Sequence, residues 1–207
     1  MHGNLICFEG IDGVGKRTQT ALLSEKLEGL GIKAKSYTYP DYPSVYGQII
    51  RSYLDGNMAL GRMEHFMLFL IDIMKDKSSI NEDLVGGNVV IMDRYLYTAI
   101  AYICPSGLDY SKAKKFMGLM DLPRPSTVFY LSMPAKLVSE RKIGQKGNLD
   151  KFERDTKFLD DVKKFYGKMM KEKYLCNDWI KVDASRSIEE VHKDVISSLN
   201  KTILKGK

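Results

Sequence analysis

The sequence contains few cysteines and no long apolar run. Its three cysteines, Cys7, Cys104 and Cys176, lie far apart and form no CxxC pair, which argues against a zinc ribbon and favours a reducing compartment, the cytoplasm. No apolar run approaches the roughly 18 residues of a membrane span. The first residues, MHGNLICFEG, lack a basic stretch followed by an apolar one. We therefore expect neither secretion nor membrane insertion.

Internal repeats and low-complexity linkers are also absent. Hydrophobic residues make up 44% and charged residues 28% of the 207 residues, which argues against intrinsic disorder and fits one domain. The 32 Lys and Arg exceed the 26 Asp and Glu and give a net charge of +6, typical of a protein with an anionic partner. The surplus itself does not distinguish a nucleic acid, a membrane and a phosphorylated small molecule. Binding to nucleic acid is disfavoured, because basic and acidic residues alternate and form no basic tail.

Strand-like and helix-like segments alternate along the chain. Short apolar runs predict five strands, at Asn4–Glu9, Lys33–Tyr39, Asn88–Met92, Thr127–Ser132 and Trp179–Asp183. After a first helix that closes near Gly29–Gly31, further helices are predicted at Val45–Leu54, Met63–Val85, Ser111–Asp121, Ala135–Ile143 and Leu149–Tyr174. Ser187, with Glu190 three residues on, predicts the start of the last helix. This alternation predicts a parallel sheet covered by helices on both faces.

The strongest local pattern is GIDGVGK at 10–16, between the first strand and the first helix. It matches the G-x4-G-K part of a P-loop, in which glycines let backbone N–H groups turn towards phosphate oxygens at a helix N-terminus. We expect Lys16 to reach the outer phosphates of a nucleotide, above a loop formed by Gly10, Gly13, Val14 and Gly15. The alternative is a glycine-rich turn that binds nothing.

The residue after the P-loop lysine departs from the pattern. A Ser or Thr normally stands there and binds Mg2+ through its hydroxyl, whereas this chain has Arg17, followed by Thr18. One hypothesis is that Arg17 points to solvent and that water completes the shell of the metal ion. The other is that Arg17 contacts phosphate and weakens the dependence on Mg2+.

Two charged residues follow the third predicted strand. From the end of a buried strand, Asp93 is placed to orient a nucleotide-bound Mg2+ through water. The neighbouring Arg94 can form two parallel hydrogen bonds with a second phosphate. The alternative is an ion pair that caps the edge of the sheet.

Seven motifs, in order, make the chain resemble the thymidylate kinase (dTMP kinase) family of P-loop nucleoside-monophosphate kinases. They are FEGIDGVGKRTQ (8–19), YP followed by VYGQIIRSYL (39–54), HFMLF (65–69), VVIMDRY (89–95), LPRP (122–125), DKFE (150–153) and VDASRSIEEVH (182–192). The resemblance implies a P-loop kinase-type three-layer α/β fold, with a five-stranded parallel sheet between helices. It also implies a single domain over 1–207 that carries a mobile lid at about 135–154.

The same resemblance implies an activity and partners. The expected reaction is phosphoryl transfer from ATP, with Mg2+ as cofactor, to dTMP, which gives dTDP and ADP for dTTP synthesis. The expected assembly is a cytoplasmic homodimer that uses neither nucleic acid nor membrane as a partner.

The resemblance implies roles on the acceptor side. Asp12 would contact the sugar 3′-hydroxyl, and Arg94 the acceptor phosphate. Phe69 would stack on thymine and Tyr102 would pack on the deoxyribose, with Thr98 and Phe152 nearby. Each of these apolar or small residues has core packing as its alternative. The implied catalytic residues are Lys16, Asp93, Arg94 and Asp12.

Donor and lid residues follow from the resemblance as well. ATP would be held by the P-loop with Arg17 and Thr18, and Arg141 would lie against the adenine. The lid cations would be Arg141, Lys142, Lys146 and Lys151, for which a solvated helix face is the alternative. The metal ion would be oriented by Asp93 through water.

Two acceptor-side positions depart from the family pattern. Ile73 stands where a base-reading arginine is expected, and Tyr42 where eukaryotic members have a phosphate-binding arginine. A lost charged hydrogen bond costs about 1.5–3 kcal/mol, whereas the methyl group that separates thymine from uracil is worth about 1 kcal/mol. Two alternatives therefore stay open: a kinase for other (deoxy)pyrimidine monophosphates, and a non-catalytic nucleotide-binding protein. Compensation for the lost contacts could come from Arg51, Arg62, Lys75 or Asp72.

Overall fold

The computed structural model describes residues 3–138, 140, 152 and 154–202. One parallel sheet has the strand order β2-β3-β1-β4-β5, formed by β1 (Asn4–Glu9), β2 (Ala34–Thr38), β3 (Val89–Asp93), β4 (Thr127–Ser132) and β5 (Asp178–Asp183). The predicted five-stranded parallel sheet is confirmed, with strand ends that agree within one or two residues.

Burial along the strands follows their place in the sheet. All five residues of β3 are buried, as are five of the six in β1 and in β4, which fits their almost entirely apolar sequences. The edge strands β2 and β5 keep exposed lysines, since only one neighbour covers them. The register pairs Phe8 with Asp93, so the carboxyl ends of β1 and β3 lie side by side.

Two groups of helices pack on this sheet. The described helices are α1 (Lys16–Gly29), α2 (Val45–Leu54), α3 (Arg62–Met74), α4 (Lys77–Val85), α5 (Leu96–Ile103), α6 (Tyr110–Gly118), α7 (Thr156–Lys171) and α8 (Ile188–Thr202). α1 packs against β1, β2, β3 and α8, whereas α5 packs against α3 and α7. Ser187 and Glu190 cap α8 reciprocally through each other's backbone N–H, as predicted.

One helix prediction is wrong, and one helix was missed. The segment Met63–Val85 forms two helices instead of one, because the backbone leaves the helical conformation at Asp76, with a φ of −99° and a ψ of 2°. The Asp76 carboxylate accepts hydrogen bonds there from Tyr39 Oη at 3.0 Å and Lys75 Nζ at 2.6 Å. Helix α5 was not predicted: all eight of its residues are buried, so the sequence shows no polar face there.

Two further helices differ in their bounds. α7 begins at Thr156 instead of at 149, because Asp155 caps its first turn by accepting a hydrogen bond from the Phe158 N–H. It ends at Lys171 instead of at 174. α6 covers Tyr110–Gly118 instead of Ser111–Asp121. Residues 135–138 are helical, and most of the predicted helix Ala135–Ile143 lies outside the described residues.

Within the described ranges, none of the helices combines the length and the apolar character that crossing a bilayer requires. The three cysteines are free thiols, and all three are buried.

Candidate active site

The loop between β1 and α1 has the backbone geometry of a phosphate cradle. Gly10, Gly13 and Gly15 have φ angles of 141°, 86° and 96°, which side chains with a Cβ rarely adopt. A Cβ on Gly10 would also lie 2.4 Å from the carbonyl oxygen of Leu131. Because α1 begins directly at Lys16, the unpaired N–H groups of its first turn and its positive dipole end lie at this loop. The loop is therefore built to bind an anion.

The Lys16 side chain lies against the loop and is 5% exposed. Its Nζ donates a hydrogen bond to the Ile11 carbonyl oxygen at 2.8 Å. Burial, followed by the nearby charge of Arg94, lowers the pKa of Lys16 to about 8, against the opposing effect of the carboxylates of Asp12, Asp93 and Glu9. A phosphate close to Nζ would favour the charged form further, so this lysine is suited to a polyanionic ligand.

Asp93 lies at the end of β3, beside the loop. Its side chain is buried, and its Oδ1 has no hydrogen-bond partner among the described residues. Burial raises the pKa of Asp93, while Lys16, Arg94 and Arg17 lower it in that order. A buried oxygen without a donor is suited to a water molecule or to a water held by a metal ion.

Arg94 is held at both its backbone and its guanidinium. Its φ of 69° is rare for a residue with a side chain, and its N–H donates to the Phe8 carbonyl oxygen at 3.0 Å. Nη1 donates to the Gly10 carbonyl oxygen at 3.0 Å and to Thr98 Oγ1 at 3.2 Å, and Nη2 forms an ion pair with Asp12 Oδ1 at 2.6 Å. The arginine thus joins the P-loop to helix α5.

Glu9, the last residue of β1, forms a buried network beside Arg94. Its Oε1 accepts from the Tyr95 N–H at 2.8 Å, and its Oε2 accepts from Thr98 Oγ1 at 2.7 Å and Tyr166 Oη at 3.0 Å. Glu9 is 0% exposed. Burial raises its pKa to about 7, and the hydrogen bond from Thr98 is the largest of the opposing effects. Sequence reasoning missed both Glu9 and Tyr166.

A cleft opens beside Asp12 and Arg94. Aromatic side chains form much of its lining: Tyr42, Tyr53, Phe66, Phe69, Tyr102 and Phe152. Arg62, His65 and Ser106 also line it, and Arg62 Nη1 donates to the Ser106 carbonyl oxygen at 2.8 Å. The cleft therefore combines a cation suited to an anionic group with flat surfaces suited to an aromatic ring.

Comparison with protein families distinguishes this site from other P-loop sites. The sequence model of the family described as "Thymidylate kinase" matches residues 8–195. The chain belongs to the thymidylate kinase family. A relative named thymidylate kinase from Plasmodium falciparum is 31% identical over 199 residues, which cover 96% of this chain and 90% of the relative. Another from Homo sapiens is 30% identical, with 93% and 88% covered.

A solved structure shows the family fold. The thymidylate kinase of Candida albicans superposes with a TM-score of 0.79 and 23% identity, and the match covers 97% of this chain and 92% of that one. The predicted P-loop kinase-type fold is thereby confirmed.

The structure brings every residue predicted for the family's acceptor site to the lining of one cleft: Asp12, Phe69, Arg94, Thr98, Tyr102 and Phe152. Tyr102 Oη donates to Asp12 Oδ2 at 3.3 Å, and the Arg94 guanidinium lies 5.7 Å from the centre of the Tyr102 ring. Phe69 is 4% exposed, so it belongs to the core and to the cleft at once. Their roles towards a nucleotide stay predictions.

The structure describes some of the residues that are predicted to bind ATP, the phosphoryl donor. Val14 is buried within the loop, and Arg17 and Thr18 are exposed in the first turn of α1. The predicted lid cations lie outside the described residues: Arg141, Lys142, Lys146 and Lys151.

The positions that depart from the family pattern have different surroundings. Ile73 is 0% exposed in the core, outside the cleft lining, whereas Tyr42 lines the cleft with the Arg51 guanidinium 5.1 Å from its ring centre. Of the four side chains considered as compensation, Arg62 alone belongs to the described lining. Lys75 and Asp72 pair with each other at 3.3 Å.

Proposed function

We propose that this protein is a thymidylate kinase, which transfers the terminal phosphoryl group of ATP to dTMP and releases dTDP and ADP. The observation that supports it most directly is the hydrogen bond from Arg94 to the Gly10 carbonyl oxygen. Through this bond, an arginine that lines the aromatic cleft contacts the phosphate loop directly. Two nucleotides, one on each side of this contact, would thus present their phosphates to each other.

The chemistry needs positioning and charge neutralisation more than it needs a base. Lys16 and the loop N–H groups would stabilise charge on the outer ATP phosphates, and Arg94 would hold the acceptor phosphate in line. An oxygen of that phosphate is already an anionic nucleophile. Its bond to the terminal phosphorus forms while the bond from that phosphorus to the bridging oxygen breaks, and ADP leaves with those electrons.

The residues present fit a Mg2+ ion held mainly by phosphates and water. Asp93 would orient a water of its shell, because its buried Oδ1 has no donor among the described residues. When bound, the ion supplies positive charge that neutralises phosphate oxygens. Arg17 is exposed in the first turn of α1, directly after the phosphate loop, and this position supports the hypothesis that it contacts phosphate.

Replacing Arg17 by serine tests that hypothesis. If the guanidinium shares the phosphate charge with Mg2+, Arg17→Ser is expected to lose several-fold more activity at limiting Mg2+ than at saturation, because the remaining charge depends on the metal ion. Arg17→Met controls for the added hydroxyl. Steady-state rates titrated with Mg2+ measure the effect, and identical metal-response curves for wild type and both variants would contradict it.

The acceptor base is tested by a panel of dTMP, dUMP and dCMP. We expect dTMP to have the highest kcat/KM, with dUMP within about tenfold, because one methyl group is worth about 1 kcal/mol. Arg62→Met is expected to raise the KM of dTMP by about tenfold if the guanidinium bonds to the base. Arg124→Met, which removes an exposed arginine outside the cleft lining, is the control. If dTMP were not among the best acceptors, the proposed function would be wrong.

Other features of the family are proposed with their support. A homodimer through α3 is supported by the exposed apolar residues Met63, Ile71 and Met74 of that helix. A cytoplasmic location is supported by three free, buried thiols. The match over residues 8–195 supports one domain, for which we propose a lid at about 135–154 and a role in dTTP synthesis.

A further inference from the structure

We propose that Glu9 is a positioning residue for the arginine of the acceptor site. It holds the Tyr95 amide and the Thr98 hydroxyl, and through them it sets where Arg94 presents its guanidinium to the acceptor phosphate. The proposal rests on the proposed function and adds a residue that lies outside the lining of the cleft.

The first step is the hydrogen bonding of Thr98. A hydroxyl carries one proton, and Thr98 Oγ1 donates it to Glu9 Oε2 at 2.7 Å. A lone pair of the same oxygen is then free to accept from Arg94 Nη1 at 3.2 Å. Tyr166 Oη lies 2.8 Å from the same oxygen, but it donates its own proton to Glu9 Oε2. The carboxylate therefore draws both hydroxyl protons, which fixes the direction of the threonine dipole, and this dipole orients the guanidinium.

The second step concerns the backbone. Arg94 has a φ of 69°, and the flanking hydrogen bonds hold this uncommon conformation. The Arg94 N–H donates to the Phe8 carbonyl oxygen at 3.0 Å, and the next N–H, that of Tyr95, donates to Glu9 Oε1 at 2.8 Å. Glu9 thus bonds to the backbone directly after Arg94 and to the threonine that accepts from the Arg94 guanidinium.

Protonation of Glu9 would disturb this arrangement. A neutral carboxyl carries its own proton, which must point towards one of three groups that now donate: the Tyr95 N–H, Thr98 Oγ1 or Tyr166 Oη. If that proton points to Thr98 Oγ1, the threonine hydroxyl turns towards Tyr166 Oη, 2.8 Å away, and its oxygen accepts from both Glu9 and Arg94 Nη1. The Arg94 guanidinium also loses the nearby negative charge of Glu9. We therefore expect the ionised form of Glu9 to be the one that holds Arg94 in place.

Among the groups around this network, Glu9 titrates closest to neutral pH, followed by Lys16. The titratable groups around Glu9 are Cys7 on β1, Lys16 on α1, Tyr130 on β4, Tyr166 on α7, and Arg94 and Tyr97 after β3. Burial raises the pKa of the cysteine and of the tyrosines, so they stay neutral. The pKa of Lys16 is about 8 and that of Glu9 about 7.

The kinetic experiment compares the two substrates in Glu9→Gln and Thr98→Val. We expect kcat/KM for dTMP to fall by about 10- to 100-fold in each, as for a lost charged hydrogen bond, while the KM of ATP changes by less than about threefold. Thr98→Ser, which keeps the hydroxyl, should recover most of the loss. Thr127→Val is the matched control, because Thr127 is also buried and donates to a carboxylate, Asp178 Oδ2, at 3.2 Å.

The pH profile separates positioning from packing. The wild-type to Glu9→Gln ratio of kcat/KM for dTMP should rise from pH 6 to 8 as Glu9 ionises. The phosphate of dTMP itself titrates near pH 6, but it does so equally for both proteins and cancels in the ratio. A ratio that does not change with pH would overturn the proposal.

As the pH rises, the stability of the folded protein should fall, whereas the kcat/KM ratio for dTMP should rise. The folded-state pKa of Glu9, about 7, lies above its ordinary value of 4.5. The protonated Glu9 side chain therefore stabilises the folded state fully below pH 4.5, and this stabilisation is lost as the pH rises through 7. Relative to Glu9→Gln, the folding constant of the wild type should fall by up to about 300-fold between pH 4.5 and 8, measured by urea unfolding.

The outcomes separate the two levels of the proposal. A wild type that does not phosphorylate dTMP would overturn the proposed function. A wild type that does, together with Glu9→Gln and Thr98→Val variants that keep full activity or that lose activity equally towards both substrates, would overturn the role of Glu9 alone.

Discussion

Replacing Lys16 by methionine is expected to lower kcat for dTMP phosphorylation by about 10²–10³-fold, the usual effect of removing one preorganised donor. The side chain is 5% exposed and begins the helix that follows the phosphate loop, so its charge acts in a largely water-free place. Methionine has a similar length and keeps the packing of the stem. The loss would therefore come from the missing charge on the transferring phosphoryl group.

Folding of this variant should not suffer. Burial lowers the pKa of Lys16, which means that the folded state disfavours its charge, so removing it should leave the thermal unfolding temperature unchanged or raise it. Lys26→Met, in the exposed last turn of the same helix, is the matched control and should keep wild-type rates. A Lys16→Met enzyme with a kcat within tenfold of the wild type would contradict this role.

The sequence was sufficient for the parts of the fold that depend on local pattern. Central strands are continuous apolar runs, and the phosphate loop is one short segment in which glycines, strand and lysine are adjacent. Asp93 and Arg94 follow a buried strand, and in a parallel sheet this is enough to place them at the same edge as the phosphate loop. Helix α5 could not be found in this way, because every side chain of it is buried and its pattern has no period.

The parts of the site that join distant segments could not be predicted. Tyr166 reaches Glu9 from 157 positions away, and Arg62 bonds to Ser106 across 44 positions. No local pattern marks such pairs. The signal available for Glu9 was a carboxylate at the end of an otherwise apolar strand, and it becomes informative only when the burial of that strand is known.

The divided helix shows the same limit. An apolar pattern from Met63 to Val85 continues across Lys75 and Asp76, and nothing local ends it. The break lies where Tyr39, from the loop after β2, donates to Asp76. A contact from a distant segment here overrides a regular pattern.

Replacing Arg94 by lysine is expected to lower kcat/KM for dTMP by about 10²–10³-fold, although the charge is kept. The guanidinium contacts Gly10, Thr98 and Asp12 at once, and a single ammonium group cannot reproduce this planar arrangement. Truncating one partner of a buried charge pair typically costs about 2–5 kcal/mol, which corresponds to this range.

The loss should be confined to the acceptor side. Lysine would leave the Asp12 carboxylate and the Thr98 lone pair without their fixed donor, so the acceptor phosphate would be held loosely and out of line. The KM of ATP should stay within about threefold of wild type, because the loop glycines and Lys16 are unchanged. Arg124→Lys, at an exposed arginine, serves as the control. Equal losses towards both substrates would mean that Arg94 supports the phosphate loop through the Gly10 carbonyl oxygen, and not the acceptor.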